Sequence, residues 1–526
     1  MLLDPKAIFD SMNLREKIGQ MFLHEYTGFD DLSDDLKEMN QKSELGGMIL
    51  FAGRNVNNVE QLHHMNTKIQ SYSKDNKWGL PLMISLDQEG GQLTALFRGT
   101  TIFPGNQSLG FTKNIEFARQ QGVHVGNELK YAGINVSYAP VLDVAYDNKL
   151  GKPIVDNRMY SDEPSIVAEM GTAYIEGLQS TGISGCGKHF PGMRPTDIDT
   201  HHQVDVIEYD MDRLSEVELV PFKKAIAAGV DVIMTHHGIF EAFDKELPAS
   251  LSPKVLGYLR NELKYEGLII SDDLIMGAIQ NQFGDEESLI LGINAGLDLL
   301  ISTNAKRWFV DFIEKSVNEG QIAESRINEA VTRILAVKCR PGFGDIPSTK
   351  GFDKATGDKL AKEIAEAGIV WHKGDKANFP ITIEEDTRVG FIMGNPARLV
   401  MSDATNLYDD LSFKWTLKGQ GFTNPIREVI LPWAPTPEEI ISIGDIGVIT
   451  DVLVVSTVNA YRYTGQEDAL KYIRKANPNK HIVGIASRSP EDAKILENYC
   501  DTVVASSGIT PFQIEGLLSL LFTKKA

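Results

Sequence analysis

One pattern limits what this chain can become more than any other. Through about residue 340, short and nearly continuous apolar runs alternate with amphipathic helical stretches. The runs are Gly46 to Phe51, Leu80 to Asp87, Ile134 to Val144, Ile183 to His189, Val230 to His236, Gly267 to Ser271 and Leu297 to Ser302. Unbroken apolar runs suit parallel strands buried on both faces. Helical patterns such as Glu116 to Tyr131 and Ser165 to Gln179 lie between them. Repeated β-then-α units leave two architectures, a (β/α)₈ barrel or a doubly wound sheet.

Polar residues decide between the two. They gather where the runs end, at Asp87-Gln88-Glu89, Asp143, Lys188-His189, His236-His237 and Asp272-Asp273. A barrel collects its chemistry at the C-terminal ends of many strands. A Rossmann-type sheet concentrates it behind one glycine-rich turn, and neither GxGxxG nor a Walker sequence follows the first run. The expected fold is therefore a TIM barrel. Arg326 to Lys338 closes it as a helix, and Pro341-Gly342-Phe343-Gly344 with Pro347-Ser348 then breaks the pattern. New β/α alternation follows, with strands at Val389 to Met393, Val452 to Val455, Ile482 to Ile485 and Thr502 to Val504. The expected organisation is a barrel over 1–340, a linker over 341–355 and a smaller α/β sandwich over 356–526.

Charge narrows the partners. With 52 basic and 72 acidic side chains the net charge is −20. That argues against nucleic acid and anionic membrane surfaces, which need a basic footprint. No apolar run approaches the ~20 residues of a membrane helix. Cys186, Cys339 and Cys500 have neither a disulfide-framework count nor zinc-ligand spacing. Met1 to Lys6 lacks a basic segment leading into an apolar one. A cytoplasmic protein is the expectation.

Three segments carry chemistry. Gly185 to His202 is the densest, and Pro191, Gly192 and Pro195 make it a strand end followed by a long loop. Within it, Asp199 stands two residues from His201. A carboxylate bonded to one ring nitrogen fixes the tautomer and raises the basicity of the other, so His201 is a candidate general acid/base. By itself the pair reads more readily as an Asx-turn beside a solvated histidine. At Ser271-Asp272-Asp273 an apolar strand runs straight into two acids. One can cap the next helix while the other attacks an anomeric carbon. Asp87-Gln88-Glu89-Gly90-Gly91-Gln92 offers carboxylates suited to sugar hydroxyls, with glycines leaving room for a ligand. No HExxH occurs, and no metal site is supported.

In chain order these segments resemble glycoside hydrolase family 3, in its β-N-acetylglucosaminidase branch. The matching stretches include Asp87 to Gly91, Ala139-Pro140-Val141-Leu142-Asp143-Val144, Lys188-His189-Phe190-Pro191-Gly192, Asp199-Thr200-His201, Met234-Thr235-x-His237 and Ser271-Asp272-Asp273-Leu274-x-Met276. The resemblance implies a TIM barrel followed by an α/β sandwich, with no metal or organic cofactor. It implies a retaining, exo-acting enzyme that hydrolyses terminal β-linked N-acetylglucosamine from small or oligosaccharide glycosides. It makes Asp272 the nucleophile, and Asp199 with His201 the acid/base dyad. Asp87, Arg158, Lys188, His189 and His237 become sugar-binding residues. Two stretches depart from the family pattern. Gly-His-Gly-Asp-Thr becomes Gly192-Met193-Arg194-Pro195-Thr196, which adds the Arg194 cation near the leaving group. An expected Arg becomes Gln92. Three alternatives stay open: a glycoside phosphorylase, an aldolase-like barrel using Lys188 as a Schiff-base amine, and a sugar-binding relative without turnover.

Overall fold

The computed structural model describes residues 3–145, 156–194, 200, 202–302, 307–396 and 411–525. Its first sheet contains β1 (Phe22–His24), β2 (Gly47–Ile49), β3 (Met83–Leu86), β4 (Val136–Ser137), β5 (Ser184–Phe190), β6 (Val232–Thr235), β7 (Leu268–Ser271) and β8 (Leu300–Ser302). The strands neighbour one another in chain order, and β1 lies parallel beside β8. A parallel bridge between Ile270 and Leu299 closes the ring. Strands β1 to β7 are buried along their whole length, which is why their sequences are apolar runs and not alternations. Two hydroxyls of the ring pair with each other and with a neighbouring strand: the Tyr138 hydroxyl donates to Ser85 Oγ at 2.8 Å, and Ser85 donates to the Met48 carbonyl at 2.9 Å.

Two sequence expectations change. Strand β1 has only three residues, too few for a periodic pattern, and it went unread. The run from Ile134 to Val144 is not one strand. The regular strand ends at Ser137 and Pro140 has no N–H to give, but the chain stays bonded to β5: the Cys186 N–H donates to the Ala139 carbonyl at 2.9 Å and the Leu142 N–H to the Lys188 carbonyl at 2.6 Å. The irregular stretch brings Asp143 over the end of the barrel.

Helices Ile115–Ala132 and Pro164–Ser180 pack closely outside the ring. Glycines make this approach possible. A Cβ on Gly177 would stand 2.2 Å from the Arg119 carbonyl oxygen, and one on Gly122 would stand 2.3 Å from that of Tyr174. Helix propensity favours alanine over glycine by about 1 kcal/mol. Here the obstacle is backbone, which cannot swing away, so Gly177→Ala is expected to destabilise by about 2 kcal/mol. Urea unfolding of the variant checks this; a gain in stability would show that the helices can move apart.

The second sheet holds β9 (Val370–Lys373), β10 (Val389–Gly394), β11 (Ile426–Leu431), β12 (Val452–Thr457), β13 (Ile482–Ala486) and β14 (Thr502–Ala505), in the order β9-β14-β13-β12-β10-β11. All its neighbours are parallel except β9 against β14. Side chains alternate between two cores. Phe391 and Met393 pack on one face with Leu517 and Leu518, while Ile392 packs on the other with Leu470 and Ile473. The fold is thus a TIM barrel followed by a smaller α/β sandwich. Helix Lys354–Ala367 joins them: Leu360, Ala361 and Ile364 belong to the barrel's core cluster, while the helix also packs on Pro511–Leu521.

All three cysteines are unpaired. Cys186 and Cys500 are buried, and burial pushes the Cys500 thiol up to about 12. Cys339 is half-buried. A thiol reagent is therefore expected to modify at most Cys339 in the native protein and all three after denaturation. Fast native labelling of Cys186 or Cys500 would contradict this packing.

Candidate active site

The polar strand ends meet at one mouth of the barrel. Asp87 follows β3, and the chain then turns back as a hairpin of Gln88–Gly90 and Leu93–Thr94. Glu89 points from this hairpin into the protein and is buried. Lys188, near the end of β5, donates to Asp87 Oδ1 at 2.6 Å and pairs with Glu89 Oε1 at 2.7 Å. Arg158 comes from a 3₁₀ turn and forks onto both Glu89 oxygens at 2.7 Å. Two cations and two carboxylates therefore form one network, which is how buried charges escape the cost of desolvation.

The network fixes protonation. Burial alone would raise the Glu89 carboxyl, but Arg158 and Lys188 hold it down at about 2. Burial alone would likewise strip Lys188 of its proton; Asp87 and Glu89 outweigh it and hold the ammonium well above the usual lysine range. A Schiff-base lysine needs a neutral amine. Lys188 is instead paired with two carboxylates that favour its charged form, which counts against the aldolase-like alternative.

His189 follows Lys188. Its Nδ1 lies 2.7 Å from Asp143 Oδ2, while Asp143 Oδ1 accepts from the His189 and Met193 N–H groups at 3.0 and 2.8 Å. Burial would raise Asp143, but His189 and these donors hold it below the carboxylate range. The ionised Asp143 thus orients the imidazole, leaving Nε2 as its other working atom.

Asp272 closes β7. Burial would raise its carboxyl; His189, His237, the Asp273 N–H and Lys188 together hold it well below the usual carboxylate range. The Asp273 N–H donates to Asp272 Oδ1 at 2.8 Å. Asp273 instead accepts from the Ile275 N–H at 3.2 Å, so it caps the turn. His237 Nε2 donates to the Asp273 carbonyl at 3.0 Å, and Nδ1 lies 2.7 Å from Ser250 Oγ. His237 thereby ties the turn that carries Asp272, through Nε2, to Ser250 in the Ala249–Leu251 turn, through Nδ1. His236 stays neutral: burial pushes it down to about 4, and its Nδ1 accepts from the Gly238 N–H at 2.9 Å.

Asp199 and His201 lie outside the described residues. Their neighbours are described. The Thr200 carbonyl accepts from the Ala278 N–H at 3.2 Å, and the His202 carbonyl accepts from Asn281 Nδ2 at 2.9 Å. Positions 200 and 202 thus rest on the segment that follows Asp272. Arg194 corrects a sequence expectation. It forks onto Asp205 at 2.9 and 2.5 Å, and Asp205 is wholly buried, so its charge is compensated by the protein. Sequence reading offered Glu89, with Asp87, as a carboxylate for sugar hydroxyls and gave Asp143 no role; the structure ties Glu89 to Arg158 and Lys188 instead. The signal was present, because both acids end apolar runs, but their partners lie on other strands. Among the described residues, no group of three or more His, Cys, Asp or Glu side chains is placed to hold a metal ion.

Comparison with known proteins places this geometry. The profile described as "Glycosyl hydrolase family 3 N terminal domain" matches residues 13–337, more than half of the chain. The chain belongs to glycosyl hydrolase family 3. β-Hexosaminidase A of Pseudoalteromonas piscicida is 30% identical over 375 residues, which cover 65% of this chain and 62% of that protein. A β-hexosaminidase of Nitrosomonas eutropha is 34% identical over 267 residues, covering 49% of this chain and 74% of that one. The solved structure of a family 3 β-N-acetylglucosaminidase from Paenibacillus sp. str. FPU-7 superposes with a TM-score of 0.87 at 30% identity. That match covers 97% of this chain and 96% of the other. This family 3 chain is accordingly a glycoside hydrolase, and no described helix is long and apolar enough to cross a membrane.

Proposed function

We propose that this enzyme is a retaining, exo-acting β-N-acetylglucosaminidase that works through a covalent glycosyl-enzyme. One observation carries the reading most: an ionised Asp272 at a strand end, beside the His189 imidazole and a Lys188 ammonium neutralised by Asp87 and Glu89. The names of its relatives give the sugar. Asp87, Lys188, His189 and Arg158 form the −1 subsite, with the charge-neutral cluster aimed at hydroxyl groups. Asp272 attacks the anomeric carbon as the bond to the leaving oxygen breaks. His201, oriented by Asp199, gives that oxygen its proton. Neutral His201 then takes a proton from water, which attacks the anomeric carbon and frees Asp272. The working unit is the barrel with its sandwich domain, divided over the linker at 341–355. The three free thiols support a cytoplasmic home.

Leaving-group dependence tests the acid/base. His201→Ala is expected to lose ~10²–10⁴-fold on aryl glycosides with poor leaving groups and far less on dinitrophenyl glycosides. A dinitrophenolate departs without a proton. Azide should partly restore turnover of the glycosyl-enzyme. Equal losses on both substrate types without azide rescue would move His201 to binding. Sugar 1-phosphate, formed when inorganic phosphate is added, would identify a phosphorylase.

A further inference from the structure

We propose that Arg488, carried by the sandwich domain, is a positioning residue for the sugar-binding end of the barrel site. The inference rests on the reading of the Asp87–Glu89–Lys188–Arg158 cluster as the −1 subsite. Arg488 lies between β13 and helix Asp492–Leu496 and is 1% exposed, one of the largest wholly buried side chains. Its Nη2 donates to Gln92 Oε1, across the interface between the two domains. Gln92 itself is buried, at the tip of the hairpin that carries Glu89.

The inner side of that tip is already fixed. The Gly91 N–H donates to the Phe103 carbonyl at 2.8 Å. Gly91 has φ +58°, and a Cβ there would stand 2.6 Å from Gly105 Cα. The Gln88 side chain closes the hairpin through the Leu96 N–H at 3.0 Å and the Leu96 carbonyl at 2.8 Å. Asn106, beside this seat, donates to the Arg158 carbonyl at 2.8 Å. Hairpin, seat and Arg158 turn therefore form one frame, with Glu89 bridging Arg158 to Lys188. Arg488 meets the frame from the second domain, at Gln92 on the hairpin tip. Open α/β sheets receive ligands at the C-terminal ends of their strands. Here a residue of that edge receives the barrel's hairpin instead. Burying a guanidinium is costly unless an acceptor meets it, and the Gln92 carboxamide oxygen is placed to do so. Gln92 is also where this sequence departs from its family's pattern.

The test uses full-length protein and three variants: Arg488→Gln, Arg488→Lys and the reciprocal Arg488→Gln/Gln92→Arg, which reverses donor and acceptor across the same contact. Three quantities are read: kcat and KM on an aryl N-acetyl-β-glucosaminide with a good leaving group, the inhibition constant of N-acetylglucosamine, and hydrogen exchange over 88–98. In Arg488→Gln, KM and the inhibition constant are expected to rise about tenfold or more, the scale set by sub-ångström misplacement. The fall in kcat should be smaller, and protection at Gly91 should drop. Arg488→Lys should lie between, because it keeps the charge but lacks the guanidinium's fixed planar geometry. The reciprocal variant should restore binding and protection most of the way. A folded Arg488→Gln with unchanged KM, inhibition constant and exchange overturns the proposal. So does a loss that the reciprocal variant leaves in place and that tracks only thermal stability. If the parent protein neither cleaves nor binds the sugar, the proposed function falls, and exchange at Gly91 still decides the role of Arg488.

Discussion

Asp272→Asn is expected to leave a folded protein whose turnover has fallen by more than about 10⁴-fold, the range seen when a covalent nucleophile is removed. The prediction follows from the division of labour between two adjacent acids. Asp273 accepts the Ile275 N–H and offers its own N–H to Asp272, so it shapes the turn. Asp272 faces His189, His237 and Lys188, which keep its carboxyl ionised well below neutral pH. A carboxylate that stays ionised is ready to attack. Being weakly basic, it also leaves readily in the second step. Because the amide of Asn is nearly the same size, the fold should survive. A 5-fluoro glycosyl fluoride of N-acetylglucosamine should label Asp272 in the parent, found by peptide mass spectrometry. A label on Asp273, or an Asp272→Asn variant that keeps a tenth of parental activity, would assign the nucleophile elsewhere.

Glu89→Gln should produce the largest loss of stability among single changes at the site, about 3 kcal/mol or more. The residue is 2% exposed and faces two cations, so its amide would deprive Arg158 of the carboxylate it forks onto and leave Lys188 paired with the partly exposed Asp87. The pH dependence gives an independent check. The folded pKa of Glu89, about 2, is below its ordinary value of 4.5. Its contribution is thus complete above about pH 4.5 and is lost as pH falls towards 2. Parent and variant should accordingly differ most near neutral pH and converge in acid. Chemical unfolding at pH 7 and at pH 3 measures both. A constant gap across that range would show that the variant loses shape complementarity and not charge balance.

How much of this was legible in the sequence follows from the range of each interaction. Buried parallel strands announce themselves as apolar runs, and the polar residues ending them give the barrel and its mouth. Asp272, Lys188 and His189 were found this way. Strand β1 hid in three residues, and β11, an edge strand with the pattern buried-exposed-half-buried, lacked a continuous run. Glu89 read as a carboxylate for sugar hydroxyls, not as an anchor for two cations, because its partners, Arg158 and Lys188, lie 69 and 99 positions away. The Arg488–Gln92 contact spans 396 positions; Gln92 stood out as a departure from the family pattern, but nothing local marks Arg488 as its partner. Arg194 misled for the same reason: its compensating acid, Asp205, looks like one more loop carboxylate until the chain closes on itself.

Helix Lys354–Ala367 bears on how the molecule can be taken apart. It follows the apparent linker in sequence, yet Leu360, Ala361 and Ile364 fill the barrel's own core. A fragment cut at residue 340 would strip the barrel of that cover and expose the apolar seat on helices Asn106–Thr112 and Ile115–Ala132, a surface prone to self-association. Any attempt to express the barrel alone must therefore extend past Ala367 and keep the helix. Conversely, a sandwich domain begun after the linker would carry an unmet greasy stripe, and a sandwich begun after Ala367 would lack the helix that covers Pro511–Leu521. The covalent joint and the packing joint fall at different places along the chain, so limited digestion in the linker should nick the backbone without letting the halves separate.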